Sequence, residues 1–299
     1  MNPQRSGIFS AIAAFFLWGV LPVFWKQLDF LPPPSIIAHR TLWSLLILLG
    51  ILWLRRETRA VVAGLRTPRA CGWHLMSGAL LASNWLLYVW ATLNDRILEG
   101  ALGYYLNPFL NMLFGVLWFG ERHNRAQLAA IVLALCGVAA QVPAVKGFPW
   151  VAVVLAVTFS LYAVVKKRSP LPSVQGLTVE TLLLAPLAAG WLWLHSAGVG
   201  EAFGGSWPRA LLIAATGLAT MLPLVFFGHA ARHISLTTLG ILQFIGPTIQ
   251  FFIGWKLYNE PMTATRLLSF AMIWSAIAIY AGDAVRRERQ NRRRSIDDC

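Results

Sequence analysis

The chain of 299 residues is apolar and basic, with hydrophobic residues at 57%, charged residues at 12%, a mean hydropathy of +0.61 and a net charge of +13. Soluble domains average about a quarter charged residues, so this composition excludes an ordinary soluble globular protein. It predicts an all-α integral membrane protein, because spans of roughly 20 apolar residues would fill a chain of this length with about ten helices.

Ten apolar segments follow one another, separated by charged residues, proline and glycine. The first begins after Arg5 and is not followed by a signal-peptide cleavage site, so we expect a retained helix. The predicted spans are 7–25, 35–54, 72–93, 98–119, 127–143, 149–165, 176–195, 209–229, 235–257 and 265–282. Most of the 25 Lys and Arg residues fall on the side that would hold both termini, which predicts cytoplasmic termini by the positive-inside rule.

Residues 99–121 and 238–260 carry one pattern twice. At an offset of 139 the matched residues are Pro108 with Pro247, Gly115 with Gly254 and Glu121 with Glu260. A period this long indicates a duplicated half, since solenoid units run about 20–50 residues. Each half would hold five spans, an odd number, so the second half must enter the membrane from the opposite side. We therefore predict ten transmembrane helices arranged as two inverted five-helix repeats.

The predicted first repeat covers 1–143, the second covers 144–285, and a basic cytoplasmic tail covers 286–299. Inverted repeats are typical of secondary transporters, whose substrate site lies near the membrane midplane where the halves meet. The repeated prolines, Pro108 and Pro247, would kink their helices and are candidate gating kinks. A kink that serves only packing is the alternative.

Three runs of the sequence resemble a known family. They are HRTLWS at 39–44, NWLLYVWATLNDRILEGALGYYLNP at 84–108 and AARHISLTTLGILQFIGPTIQF at 230–251. The chain resembles, over nearly its whole length, the RarD branch of the EamA-type drug/metabolite transporters. The resemblance implies ten helices in two inverted repeats, an inner-membrane location and export of small metabolites or drugs. It also implies a link to chloramphenicol sensitivity and, from related members, to aromatic amino acids.

Two opposite charges occupy equivalent repeat positions inside predicted spans, Arg40 in the second and Glu180 in the seventh. A charge at the centre of a span costs about 2.5–3.5 kcal/mol, so such groups usually face the protein interior or a watery cavity. We predict that Arg40 binds an anionic group of the substrate and that Glu180 binds a proton or an amine as a coupling site. Alternatively, each side chain pairs locally and fixes its helix. Their different depths argue against a direct ion pair.

His39 joins Glu180 as a candidate polar or coupling site because histidine titrates near neutral pH. A hydrogen-bonded structural histidine is the interpretation that the sequence favours. Polar and aromatic side chains of the third, fourth and ninth spans complete the predicted pocket, since pockets combine apolar walls with a few polar groups. The further candidates for substrate binding are Asn84, Tyr88, Tyr104, Asn107, Gln243, Thr248 and Gln250.

These features predict a secondary transporter that exports small metabolites or drugs, such as aromatic amino acids or amphenicols, across the inner membrane by alternating access. An intramembrane enzyme and a membrane receptor or scaffold are the alternatives. The sequence contains no zinc-protease, nucleophile-elbow or P-loop motif, so we expect no enzyme activity, catalytic residue, metal or cofactor. The expected partners are a small-molecule substrate and the lipid bilayer, without nucleic acid, and the chain is expected to be a monomer. Proton coupling and facilitated diffusion both stay open.

Overall fold

Long α-helices joined by short connections form the protein. The structure, a computed structural model, describes residues 3–94, 96–140, 142, 148–195, 206–259 and 263–297. The helices are α1 (Pro3–Trp25), α2 (Pro33–Leu54), α3 (Thr58–Arg66), α4 (Pro68–Leu93), α5 (Ile97–Phe119), α6 (Arg125–Ala139), α7 (Trp150–Arg168), α8 (Ser173–Leu194), α9 (Trp207–His233), α10 (Leu236–Gln243), α11 (Ile245–Leu257) and α12 (Ala264–Asp297). No strand occurs among the described residues, so the all-α prediction is confirmed.

Each predicted span coincides with a helix, and α10 and α11 together cover the ninth. In the described part of the chain, 7 helical stretches are long and apolar enough to cross a membrane: Pro3–Leu28, Pro33–Leu54, Trp150–Arg168, Ser173–Leu194, Trp207–His233, Leu236–Leu257 and Leu267–Arg287. The other three predicted spans fall on α4, α5 and the shorter apolar helix α6. The protein is therefore a helical, multi-pass membrane protein, and ten crossings stay a prediction.

The structure differs from the sequence prediction at three places. The connection after α2 contains the short helix α3, which buries Val61 and packs against α8. The ninth span is interrupted at Phe244. The last helix continues to Asp297, so the predicted tail begins as helix, as expected for its helix-favouring Arg, Glu and Gln residues. The predicted boundary at 143/144 and Glu260 lie outside the described residues.

The helix ends follow local chemistry. Pro33 and Pro68 occupy first turns, where the missing N–H has no helical partner to lose. Gly120 ends α5 with φ +63°, the left-handed conformation that glycine adopts most easily. Asn124 and Gln127 form a reciprocal capping box that starts α6. The short connections therefore carry their own stop and start signals.

Helices of the two predicted halves pack against each other. α1 contacts α9 and α11, α2 contacts α8 and α9, α4 contacts α7 and α8, α5 contacts α7 and α10, and α6 contacts α12. Two crossings bring backbones very close. A Cβ on Gly217 of α9 would lie 2.5 Å from the carbonyl carbon of Trp43, and one on Gly240 of α10 would lie 2.7 Å from the carbonyl oxygen of Pro108. Small residues of this kind let helices approach in lipid.

Gly217→Ala is expected to lower the free energy of unfolding by about 1–3 kcal/mol, because the added methyl overpacks the α2–α9 crossing. The crossing also holds the hydrogen bond from Ser44 Oγ to the Gly217 carbonyl oxygen, 3.0 Å long. Chemical unfolding in detergent micelles measures the effect. Gly50→Ala is the matched control, since its Cβ would meet nothing within 4 Å. Equal stabilities of the two variants would contradict the prediction.

Candidate functional site

A cavity of about 230 Å³ lies between the helices. Its lining residues are Phe15, Trp18, Leu21, Pro22, Trp25, Arg40, Trp85, Tyr88, Tyr104, Phe159, Leu224, Gln243, Gly246, Pro247 and Gln250. Both predicted halves of the chain contribute to this lining. Pockets for small molecules are mostly apolar with a few placed polar groups, and this cavity has that composition. Tyr88 and Gln250 are exposed, so the cavity is not sealed.

The cavity lies toward one end of the helix bundle. Trp25 ends α1 and Trp85 lies near the end of α4, while Arg40 and Tyr104 lie about two turns after the starts of α2 and α5. Neighbouring antiparallel helices bring these ends and starts together. The rings of Tyr88 and Tyr104 meet edge to face with centroids 5.5 Å apart. The amphipathic aromatic side chains thus gather around the half-buried Arg40.

Arg40 is held in place by one hydrogen bond and two aromatic rings. Its Nε donates to Thr220 Oγ1 at 2.9 Å. Its guanidinium carbon lies 4.1 Å from the ring centroid of Trp85 and 5.1 Å from that of Trp25. Such cation–π contacts fix the plane of the guanidinium and stabilise its charge. Among the described residues, no carboxylate lines the cavity or forms an ion pair with Arg40.

The break between α10 and α11 lies at the wall of the cavity. Pro247 has no N–H. It therefore cannot donate the helical hydrogen bond to the carbonyl oxygen of Gln243, four residues earlier. The Gln243 side chain is buried, and its Oε1 accepts a hydrogen bond of 3.0 Å from Asn111 Nδ2 of α5. Proline chemistry therefore accounts for the interruption at Phe244 that the hydropathy pattern did not indicate.

A second proline lies in the neighbouring wall of the cavity. Pro22 of α1 removes the helical donor for the carbonyl oxygen of Trp18 in the same way. Gln250 Nε2 of α11 donates to that oxygen at 3.2 Å. The predicted site residue Gln250 thus joins the two helices across the cavity.

Of the predicted substrate-binding residues, the structure brings Arg40, Tyr88, Tyr104, Gln243 and Gln250 to the cavity, together with the predicted gating residue Pro247. The other predicted residues are Asn84, Asn107, Thr248, His39, Pro108 and Glu180, and they lie outside the lining.

Asn84, Asn107 and Thr248 are engaged in contacts between or within helices. Asn84 Nδ2 donates to the Leu155 carbonyl oxygen and to Thr158 Oγ1, each at 2.9 Å. Its Oδ1 accepts the hydroxyl of Tyr104 at 3.4 Å, so Asn84 orients a cavity residue without lining the cavity. Asn107 accepts from Ser160 Oγ through its carbonyl oxygen at 3.2 Å. Thr248 Oγ1 donates to the carbonyl oxygen of Phe244.

His39 and Pro108 are buried within the helix bundle. His39 is 4% exposed. Pro108 lies inside α5 at the close approach to Gly240.

Glu180 lies away from the cavity in a buried ion cluster with His74 and Lys166. Its Oε1 accepts from Lys166 Nζ at 2.9 Å and lies 3.3 Å from His74 Nδ1. Its Oε2 accepts the Tyr162 hydroxyl at 3.5 Å. Lys166 and Glu180 are each 1% exposed and His74 is fully buried. His74 precedes Trp85 on α4 by eleven residues, which separates the cluster from Arg40 by about 16 Å along that helix.

An aromatic layer separates the cavity from the buried ion cluster. Its members are Phe15, Trp18, Phe159, Tyr162 and Phe227. Phe159 lines the cavity, and its ring centroid is 5.3 Å from that of Phe227. Tyr162 stacks on Phe227 at 5.9 Å and turns its hydroxyl to Glu180. The aromatic layer therefore contacts the cavity on one side and the buried ion cluster on the other.

Sequence reasoning missed several of these residues. It assigned Lys166 to a cytoplasmic connection because a run of three basic residues ended the sixth predicted span at 165, whereas α7 continues to Arg168. A span needs about 20 residues, and counting from Trp150 would have placed Lys166 inside the helix. His74 gave no signal of its own. Trp25 ends the first predicted span, where tryptophan usually lies at the membrane interface, so its sequence position did not mark it as a cavity residue.

The apolar helices and the cavity between them define a multi-pass integral membrane protein. The EamA-like transporter family model matches residues 5–141. A Salmonella typhi protein named RarD is 37% identical over 287 residues, covering 96% of this chain and 98% of that protein. An uncharacterized transporter of Pseudomonas aeruginosa is 40% identical over 293 residues, covering 96% of each chain.

The chain therefore belongs to the RarD branch of the EamA-like transporter family, and it is a membrane transporter. One solved crystal structure resembles it with a TM-score of 0.70 at 21% identity, covering 92% of this chain and 96% of that one. At this identity the likeness concerns the fold alone. The suspected family resemblance of the three sequence runs is confirmed.

Proposed function

We propose that the protein is a secondary transporter that exports small metabolites or drugs, such as aromatic amino acids or amphenicols, by alternating access. The observation that carries the proposal is one cavity, large enough for a small molecule, lined from both sequence-related halves and closed at one end by an aromatic layer. A substrate site between two halves is the plan of transporters built from inverted repeats.

Helix packing supports the proposed repeat. Exchanging each helix with its partner in the other half pairs α1 with α7, α2 with α8, α4 with α9, α5 with the α10–α11 pair, and α6 with α12. Under this exchange, the contact of α1 with α9 becomes that of α7 with α4, and the contact of α2 with α9 becomes that of α8 with α4. The contact of α1 with α11 becomes that of α7 with α5. The contacts of α2 with α8, α5 with α10, and α6 with α12 map onto themselves. These contacts are the ones expected if the two proposed halves are related by a two-fold axis.

Arg40 and Glu180 occupy equivalent positions of the proposed repeats but different surroundings. Arg40 faces the cavity, whereas Glu180 is enclosed with Lys166 and His74. We propose that the buried ion cluster is the closed gate of this conformation. Protonation of Glu180 would remove its attraction to Lys166 and favour opening, which would couple transport to a proton gradient. Alternating access requires that equivalent positions of the two halves be open on one side and closed on the other, and Arg40 and Glu180 differ in this way.

The proposal includes a topology and a location. Both termini are cytoplasmic, because the basic residues concentrate on that side of the proposed ten crossings. The halves cover 1–143 and 144–285, the basic tail covers 286–299, and the protein lies in the inner membrane as a monomer that acts without a cofactor or nucleic acid. It is proposed to be a transporter and not an enzyme, a function supported by relatives named as transporters.

Uptake into proteoliposomes tests the proposed function. The panel contains aromatic amino acids, chloramphenicol and small organic anions, each measured with and without an imposed pH gradient. We expect saturable uptake of at least one compound, with accumulation only when the gradient is present. Equilibration without accumulation would keep the transporter and remove the coupling. Failure of the whole panel with folded protein would overturn the proposed function in favour of a receptor, scaffold or enzyme.

A further inference from the structure

Resting on the proposed function, we propose that the cavity selects arylcarboxylates, small organic anions that join one carboxylate to a flat aromatic body and carry no ammonium group. The proposal names the substrate class of the same cavity. Within the proposed range of substrates, it ranks arylcarboxylates above zwitterionic amino acids and neutral amphenicols.

The charge of the cavity favours an anionic ligand. Arg40 is a cation whose Nε is already engaged by Thr220 and whose guanidinium carbon lies 4.1 Å from the ring centroid of Trp85 and 5.1 Å from that of Trp25. The guanidinium edge that remains is the one that carries two terminal nitrogens. In the described part of the chain, no carboxylate compensates this charge. A planar guanidinium binds a carboxylate through two parallel hydrogen bonds, so a ligand carboxylate would supply the missing negative charge.

The shape and chemistry of the remaining walls favour an aromatic ligand. Beyond Arg40 the cavity runs along Phe15, Trp18, Phe159 and Leu224, which offer rings and an aliphatic side chain. Aromatic ligands gain offset or edge-to-face contacts with such walls. A cavity of about 150 Å³ is enough to hold benzene. The 230 Å³ of this cavity therefore accommodates one aromatic ring with a short acid side chain.

The cavity disfavours an ammonium group. An amino acid would bring a second charge, of the same sign as Arg40, into a lining that contains no acidic side chain among the described residues. Gln243 Oε1 already accepts from Asn111, and Gln250, whose Nε2 donates to Trp18, offers the ammonium at most a neutral amide oxygen in place of a carboxylate. A charge that leaves water without a partner is strongly disfavoured. An arylcarboxylate avoids this desolvation and a zwitterion does not.

Binding to the purified full-length protein tests the proposal. The probes are 3-phenylpropionate, its neutral amide 3-phenylpropanamide, and L-phenylalanine, titrated by calorimetry in lipid nanodiscs at neutral pH. Hydrogen bonds to charged groups contribute about 1.5–3 kcal/mol, so 3-phenylpropionate should bind about tenfold or more tightly than either other probe. Equal or tighter binding of the amide or of L-phenylalanine would overturn the proposal.

Variants connect the preference to Arg40. Arg40→Gln should abolish the difference between the acid and the amide, and Arg40→Lys should keep the sign of the preference but weaken the binding of the acid. Arg96→Gln is the matched control, because Arg96 also lies beside two tryptophan rings but pairs with Glu99 and does not line the cavity. A preference that persists in Arg40→Gln would overturn the role of Arg40. The comparison of the three probes on the unmodified protein stands even if a variant fails to fold.

The same probes separate this proposal from the proposed function. Saturable transport of L-phenylalanine without binding of 3-phenylpropionate would overturn the substrate class and keep the transporter. Binding of 3-phenylpropionate without transport of any compound of the uptake panel would support the site and contradict alternating access. If no probe binds and no compound of the panel is transported, both proposals fail.

Discussion

Lys166→Met is expected to lower the free energy of unfolding by about 3–5 kcal/mol, because it leaves the carboxylate of Glu180 buried without its cation. Lys166 Nζ donates to Glu180 Oε1 at 2.9 Å, and both side chains are almost inaccessible to solvent. The remaining neighbours of the carboxylate include the neutral hydroxyl of Tyr162 and the ring of His74. Chemical unfolding in detergent micelles measures the change.

Two further variants make this experiment specific. Arg287→Met breaks an ion pair with Asp283 that is 3.2 Å long, but the Arg287 side chain is 48% exposed. Exposed pairs contribute about 0–1 kcal/mol, so this control should stay close to the unmodified protein. The double variant Lys166→Met/Glu180→Leu should recover most of the loss, since apolar residues often replace a buried pair without destabilisation. A single variant as stable as the control would contradict the buried ion cluster.

Glu180→Gln is expected to abolish accumulation driven by a pH gradient, so that the inside-to-outside ratio of a transported compound falls to one. Glutamine keeps the shape of the side chain but cannot take up or release a proton, so the gate would no longer respond to the gradient. Uptake into proteoliposomes with and without the gradient measures the ratio.

The matched control for coupling is Glu99→Gln. Glu99 is also a buried carboxylate, 6% exposed, but it lies in the first turn of α5 and pairs with Arg96 at 3.0 Å. This position suits a charge that stabilises a helix N-terminus, and its loss should leave accumulation intact. Unchanged accumulation in a folded Glu180→Gln protein would remove Glu180 from the coupling mechanism. An unfolded variant is recognised by the same detergent unfolding assay.

The helices were predictable from sequence because hydropathy alone marks where a chain can cross lipid. Every predicted span falls on a helix, and Pro247 indicated the region where the ninth span departs from regular helix, whereas α5 continues through Pro108. The short helix α3 was not predictable by the same argument. This helix is stabilised by packing against α8. Its charged residues are exposed, so its hydropathy resembles that of a connection between spans.

The candidate site was predictable in part, for a similar reason. Arg40 stood out because a lone charge inside an apolar segment needs an interior or a cavity. Asn84 contacts α7, whereas Tyr88, one turn later, lines the cavity. The sequence did not predict this difference, because both residues share one face of α4. Which neighbour occupies that face depends on tertiary packing. The partner of Glu180 was hidden for the same reason, since Lys166 lies on another helix fourteen residues earlier.

The aromatic layer also has an electrical consequence. Water in an open cavity conducts ions, so the voltage across a membrane would fall mainly across the closed part of the protein, which contains the aromatic layer and the buried ion cluster behind it. Moving one elementary charge through the whole field corresponds to about 2.3 kcal/mol per 100 mV. A substrate that crosses this closed part as an anion would therefore feel most of the membrane potential there. In a cell with a negative interior, that field would drive such a substrate outward.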